Sequence, residues 1–277
     1  MSNIEWTGAT WNPILGCSKI SAGCQRCYAI DQAYRNWAMA MAMPKEKRGR
    51  LAYYQGLSHD GISKDWTGEL VFVPEALEIP LKRKKPQTYF VNSMSDMFHD
   101  KVEEEWLDQI FEVMEQTPQH TYQVLTKRPR NMLLYIGSKY LNPLKNVWLG
   151  ATLENQKAVD SRAEYISSLH DSTWTTFYSC EPLLEEIILD LHNFPVSWVI
   201  VGGESGGGAR ECQLSWIESV VSQCQSADVP VFVKQLGANA IAPDGSRLKL
   251  GDRKGGNIEE FPIELQVREF PQKIAPD

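Results

Sequence analysis

Thr88-Tyr89-Phe90-Val91-Asn92-Ser93-Met94-Ser95-Asp96 sets the pattern of this chain. A short run of β-branched and aromatic residues ends abruptly in hydroxyl, amide and carboxylate side chains. Five more such runs begin near Thr121, Val147, Thr175, Trp198 and Val231, so successive starts lie 33, 26, 28, 23 and 33 residues apart. That interval is about one strand plus one helix. The segments between read as helices. Asp100 and Glu103 resemble a capping box ahead of Trp106, Ile110, Val113 and Met114. Arg162, Tyr165, Ile166 and Leu169 mark a second helix, and Leu214, Ile217, Val220, Val221 and Cys224 a third. With one strand just before Cys17, about seven strands alternate with helices. The predicted fold class is α/β, a parallel partial or complete TIM-like (βα) barrel of six to seven units. The whole chain, 1–277, reads as one domain. Residues 43–68, basic and then rich in Gly, Ser and Asp, read as an insertion or lid, and 237–277 as a C-terminal extension with a small hairpin.

In parallel α/β folds the carboxyl ends of the strands share one face, and that face holds the site. Here every run leads into polar residues: Asn92-Ser93, Thr126-Lys127-Arg128, Thr152-Leu153-Glu154, Ser179-Cys180-Glu181, Gly202-Gly203-Glu204 and Lys234-Gln235. Six such endings on one edge point to a functional face rather than to ordinary surface. Cys180 and Glu181 are candidate catalytic groups, although a buried inert thiol is the commoner fate of a cysteine.

Cys17, Cys24 and Cys27 lie within eleven residues, spaced C-x6-C-x2-C. The other three cysteines, Cys180, Cys212 and Cys224, are scattered, so metal or cluster ligation suits the trio better than disulfides. A structural zinc site closes its shell with four protein ligands, and no fourth is visible nearby. Three thiolates on one loop suit three corners of a [4Fe–4S] cluster, with the fourth iron open to another ligand. Gly16 and Gly23 would let the loop turn sharply.

This loop resembles the cluster loop of the radical S-adenosylmethionine enzymes, although their usual spacing is C-x3-C-x2-C and their aromatic residue just before the last cysteine is replaced here by Arg26, with Tyr28 following. More closely, the chain is similar to a radical-enzyme-like family of phage and bacterial proteins of unknown function. The likeness rests on Ile4-Glu5-Trp6-Thr7, Trp11-Asn12-Pro13, the cysteines with Tyr28-Ala29, and Asn92-Ser93-Met94-Ser95-Asp96. It continues through Leu125-Thr126-Lys127-Arg128, Val147-Trp148-Leu149-Gly150, Glu181-Pro182-Leu183, Gly202-Gly203-Glu204-Ser205-Gly206 and Lys234-Gln235. The resemblance implies a cluster on Cys17, Cys24 and Cys27 that cleaves S-adenosylmethionine reductively to a 5′-deoxyadenosyl radical. It also implies an electron donor such as a flavodoxin or ferredoxin. Glu204 resembles the Gly-Gly-Glu element that meets the cofactor ammonium, though late in strand order. Thr152 with Arg162 resembles the hydroxyl and arginine that address its carboxylate, the alternative for Arg162 being a solvated helix charge. Tyr28, Ser93, Lys127, Glu154, Lys234 and Gln235 complete the expected cofactor-binding set, and Gly202-Gly203 would admit the cofactor close to the backbone.

A net charge of −7 argues against a surface coated in positive charge for nucleic acid, but leaves room for a local basic groove. Nothing reads as a signal peptide and no apolar run approaches the roughly 20 residues that span a bilayer, so a cytoplasmic protein without a membrane role is expected. Several features have plainer readings beside the functional ones: Ala38 to Met43 as a core helix, Asp96 and His99 as a weak metal or acid–base pair, Arg130 with Lys127 and Arg128 as a solvated helix start, and Lys82 to Lys85 as a solvated turn. Three functions compete. One is a radical enzyme acting on a nucleobase, nucleotide, nucleic acid or peptide. Another is a zinc- or cluster-stabilised nucleic-acid-binding protein without catalysis. The third is a barrel hydrolase using Glu154, Glu181 and Glu204, with the cysteines structural.

Overall fold

A computed structural model describes residues 4–59 and 65–271. Residues 60–64, which include Gly61 of the expected lid, lie outside the described residues, as do 1–3 and 272–277. The chain forms two compact units, Met1–Asn131 and Met132–Asp277.

The first unit runs β1 (Ala9–Trp11), β2 (Ile14–Leu15), α1 (Tyr28–Met41), β3 (Val71–Phe72), α2 (Glu78–Lys82), β4 (Thr88–Val91), α3 (Glu104–Gln116) and β5 (Thr121–Thr126), then enters α4 (Pro129–Lys139). Strands β1, β4 and β5 pair in parallel, whereas β2 pairs antiparallel with β3. The strand expected before Cys17 is thus two pieces, because Pro13 removes a ladder donor between them. On α3, Leu107, Ile110, Phe111, Val113 and Met114 are buried, the stripe a 3.6-residue period requires. Its expected capping box does not form. Glu103 is the N-cap without a side-chain bond, and Asp100 instead accepts from Asn131 Nδ2 at 2.8 Å and from Arg128 Nε at 3.3 Å.

The second unit runs β6 (Val147–Thr152), α5 (Gln156–Asp171), β7 (Thr175–Cys180), β8 (Trp198–Gly202), β9 (Cys212–Gln213), α6 (Leu214–Ser226), β10 (Val231–Gln235) and β11 (Ala240–Ile241). Strands β6, β7, β8 and β10 pair in parallel, in chain order. They are almost wholly buried and rich in Val, Ile and aromatics, as strands covered on both faces must be. Seven parallel strands, separated by helices everywhere except between β7 and β8, place the chain in the α/β class, as a partial barrel of TIM-like connectivity. The six strand starts read from sequence all stand.

Gly150 on β6 faces the Phe177 ring of β7, which a Cβ there would meet at 2.6 Å. Gly150→Ala is therefore expected to cost about 1–3 kcal/mol by overpacking, readable as a shift of the urea midpoint. The C-terminal extension makes the expected turn: Ile241 bridges Arg247 antiparallel, and Ala242 N donates to Ser246 O at 2.8 Å. It also covers the outer edge of β10, where Val233 N donates to Val267 O and Glu269 N to Val231 O. An edge strand left bare would be an aggregation template. Among the described residues no helix is long and apolar enough to cross a membrane.

Candidate functional site

The cysteine loop is held at both ends by one segment. After β4 the chain turns through Asn92, whose φ of 57° is tolerated by Asn better than by most residues. Asn92 N donates to Trp11 O at 2.8 Å, and its Oδ1 accepts from Ile14 N. Asn12 Oδ1 in return accepts from Ser93 Oγ at 3.1 Å and Met94 N at 3.2 Å. Ser95 Oγ donates to Ile14 O, and Gly16 N to Met94 O. At the far end of the loop, Tyr28 Oη donates to Ser93 O at 3.0 Å. The Trp-Asn-Pro and Asn-Ser-Met-Ser motifs, whose first residues lie 81 positions apart, therefore zip together and fix where the loop leaves and re-enters the fold. Gly16 is required for this. Its φ is +91°, and a Cβ would meet Glu69 O at 2.1 Å. Gly23 has no such role; it lies in the 3-10 turn Ala22–Cys24 without a positive φ.

All six cysteines are free thiols. Cys17 and Cys27 pack at the rim of a single apolar cluster that includes Leu15, Ile30, Tyr54, Leu57, Trp66 and Met94. Part of this cluster comes from the expected lid: Tyr54, Leu57 and Trp66 are buried, and Asp65 pairs with Lys19 of the loop at 2.9 Å. The described part of that insertion is thus a packed wall beside the thiols. Burial pushes the Cys17 thiol up to about 12, with Asp96 and Cys27 adding and Arg128 opposing. Burial likewise raises Cys27; the Ala29 amide and Lys127 oppose it, and Cys24 adds to it. Cys27 thus lies within electrostatic reach of Cys17 on one side and Cys24 on the other. Among the described residues, no three His, Cys, Asp or Glu side chains, the loop cysteines included, are grouped closely enough to hold a metal ion.

Beside the loop lies a buried polar network. Asp96 accepts from Thr126 Oγ1 at 2.6 Å, Phe98 N, Lys127 N and Arg128 Nη1 at 3.0 Å. Arg128 Nη2 also donates to Ser18 Oγ, which lies 2.7 Å from His99 Nε2. Both Asp96 oxygens are thus engaged and His99 Nδ1 accepts from Lys101 N, so this pair is a scaffold for the loop rather than a metal or acid–base pair. Arg128, only 8% exposed, is no phosphate ligand, while Arg130 and Lys82 to Lys85 are solvated. The core-helix reading of Ala38 to Met43 holds only for Ala40: the buried stripe of α1 is Ala29, Ile30, Ala33 and Ala40, and Met39 and Met41, off that stripe, are 56% and 57% exposed.

In the second unit each candidate carboxylate has its own cation. Glu154, fully buried, is bound by Arg162 Nη1 at 2.7 Å, and that guanidinium also donates to Thr152 O at 2.6 Å. Arg162 is accordingly no solvated helix charge. Glu181 pairs with Lys234 at 3.0 Å. Glu204 receives Arg210 Nη2 at 2.6 Å, Nε at 3.1 Å and the Arg210 amide at 2.9 Å. It thereby closes the glycine-rich loop between them. Gly202 and Gly203 do allow close approach, but of residues 235–237 rather than a cofactor: Cβ atoms there would meet Gln235 O at 2.9 Å and Leu236 O at 2.4 Å. Gln235 Nε2 seals the same junction by donating to Gly203 O.

Cys180 is wholly buried and its thiol is held well above the ordinary range by burial, with Cys224, Glu181 and Glu154 adding. It is an inert core thiol in this environment. Burial also pushes Cys212 and Cys224 up to about 12 from 9.0. Thiols that ionise near 9.0 when unfolded and near 12 when folded support the native state fully below pH 9 and lose that contribution as pH rises towards 12. The melting temperature is expected to fall above pH 9, and Cys212→Ala to make that fall shallower.

No curated protein and no solved structure matches the chain. A family model described as a protein of unknown function, DUF5131, matches residues 1–262. With that match over nearly its whole length, the chain belongs to the DUF5131 family.

Proposed function

We propose that the protein is a radical S-adenosylmethionine enzyme whose [4Fe–4S] cluster is held by Cys17, Cys24 and Cys27. The observation that carries this reading is the loop itself: three free thiols on thirteen residues clamped at Gly16 and Tyr28 to the segment after β4. Three thiols are the donor chemistry this group takes, although among the described residues they are not already gathered to hold a metal ion. Three sulfurs leave one iron open, apolar packing around Cys17 and Cys27 limits water access, and Arg128 and Lys127 offset thiolate charge. Raised thiol pKa values are compatible with ligation, since a coordinating thiol is deprotonated outright by its metal. When bound, the cluster supplies one electron to cleave the cofactor's sulfonium. The chain's own residues orient the loop through Asn12, Ser93 and Tyr28 and hold it against the Asp96–Arg128 pair.

The proposed substrate is a nucleobase, a nucleotide or a nucleic acid, with a flavodoxin or ferredoxin as electron donor. The zinc-stabilised binding reading shares the same thiols and is separated from the first by metal analysis. The hydrolase reading has less support, since Glu154, Glu181 and Glu204 are each paired with a cation. Anaerobic reconstitution with iron and sulfide tests the proposal. A brown protein carrying about four irons per chain that yields 5′-deoxyadenosine under a strong reductant is the expected result. One zinc per chain and no deoxyadenosine would overturn it.

A further inference from the structure

We infer that the second unit binds the phosphodiester backbone of nucleic acid in a basic cleft at the carboxyl end of β8 and β10. The cleft, about 1010 Å³, is formed by the glycine-rich loop that follows β8, the Gly237–Asn239 turn that follows β10, and the segment 247–254. Four cations line it: Arg247, Lys249, Arg253 and Lys254. All four are exposed. In a chain of net charge −7, so local an excess of positive charge marks a place for an anion.

Three features show that the cleft is built rather than incidental. First, the glycine loop is stapled at both ends by the Glu204–Arg210 pair, so its shape is set without a ligand. Gly206 and Gly208 have φ of +96° and +73°, and the amides of Gly206, Gly207 and Gly208 donate to nothing among the described residues. Successive free amides in a turn of this kind form an anion-binding concavity. Second, the basic turn is fixed from behind. Asp252 accepts from Lys254 N and Gly256 N, Glu260 accepts from Gly251 N and Asp252 N, and Leu236 N donates to Gly255 O at 2.7 Å. The carboxylates thus serve backbone amides, and among the described residues the side chains of Lys249 and Arg253 form no salt bridge. Third, Arg247 Nη2 donates to Ala238 O at 2.8 Å, which holds that guanidinium beside the β10 turn.

The chemistry selects the ligand. No aromatic side chain lines the cleft, so nothing there stacks a base or an adenine ring. Several cations spread along an open surface match a run of phosphates better than one compact phosphate group. The cleft sits where a parallel sheet presents its ligands. This inference deepens the substrate part of the proposed function. It is read on the protein without iron, so its failure and that of the cluster reading are separable.

The test is binding of a fluorescently labelled single-stranded 20-mer to the purified full chain over a range of salt. Contact with about three phosphates gives a slope of about −2 in log K against log salt. Arg253→Ala with Lys254→Ala is expected to weaken binding about tenfold and flatten the slope by about 1.4. Gly207→Asp, whose side chain enters open space, places a carboxylate among the amides and is expected to abolish binding. Lys84→Ala with Lys85→Ala, in the other unit, should change little. Unchanged melting temperatures establish that the variants fold, and the double cation variant stands if Gly207→Asp does not. Absence of binding by the unaltered protein, equal loss in the Lys84/Lys85 variant, or displacement of the 20-mer by ATP as readily as by unlabelled oligonucleotide would overturn the inference.

Discussion

Simultaneous replacement of Cys17, Cys24 and Cys27 by serine is expected to give a folded protein that takes up no iron and forms no 5′-deoxyadenosine. The expectation that it folds comes from the packing. The loop's anchors are Asn12, Ser93, Ser95, Gly16 and the Tyr28 hydroxyl, none of which is a thiol. Serine is smaller than cysteine and all three positions are only half-buried, so little volume is lost. The loss of ligation, by contrast, is complete, because a serine hydroxyl stays protonated where a thiol gives a thiolate. Single replacements should each lower iron retention severely, since two ligands leave the cluster unsecured. The measurement is iron and sulfide per chain after anaerobic desalting, with melting temperature as the folding control. Full iron retention in the triple variant would remove the basis of the proposed function.

A loss of comparable size, in stability rather than iron, is expected from Arg162→Met. Glu154 has no exposed surface and its Oε2 lies 2.7 Å from Arg162 Nη1. Removing the guanidinium leaves a carboxylate in the core and strips Thr152 O of a donor. Breaking a buried pair in this way costs about 3–5 kcal/mol, a large share of the 5–15 kcal/mol that holds a typical domain folded. Glu154→Leu combined with Arg162→Leu should recover much of that loss, because two apolar residues leave no orphaned charge. Urea unfolding of the single and double variants reads both outcomes. If the single change proves nearly neutral, the pair does not hold the native state together and has another role.

The alternation of strand and helix was legible because it rests on local patterning. A run such as Val231-Phe232-Val233 has to be buried wherever it goes, and the stripe Leu214, Ile217, Val220, Val221 and Cys224 is apolar on one face of any helix it forms. The three cysteines were legible for a similar reason, since they are close in sequence. Other features depended on partners far along the chain. Nothing in Ala38 to Met43 says which stripe of α1 meets the core, and Asp100 could cap a helix until Asn131 and Arg128 reach it from elsewhere.

By itself the sequence determined the parallel α/β class, the starts of six strands and the candidate ligand loop, because periodicity and local spacing act over a few residues. Tertiary structure alone decided that Glu204 staples a loop, that Gly202 and Gly203 seat a neighbouring chain segment, and that four cations after residue 246 surround a glycine turn. The physical reason is that a charge or a missing Cβ carries no address. Its role is set by whichever group folding brings within about 3 Å, the reach of a hydrogen bond.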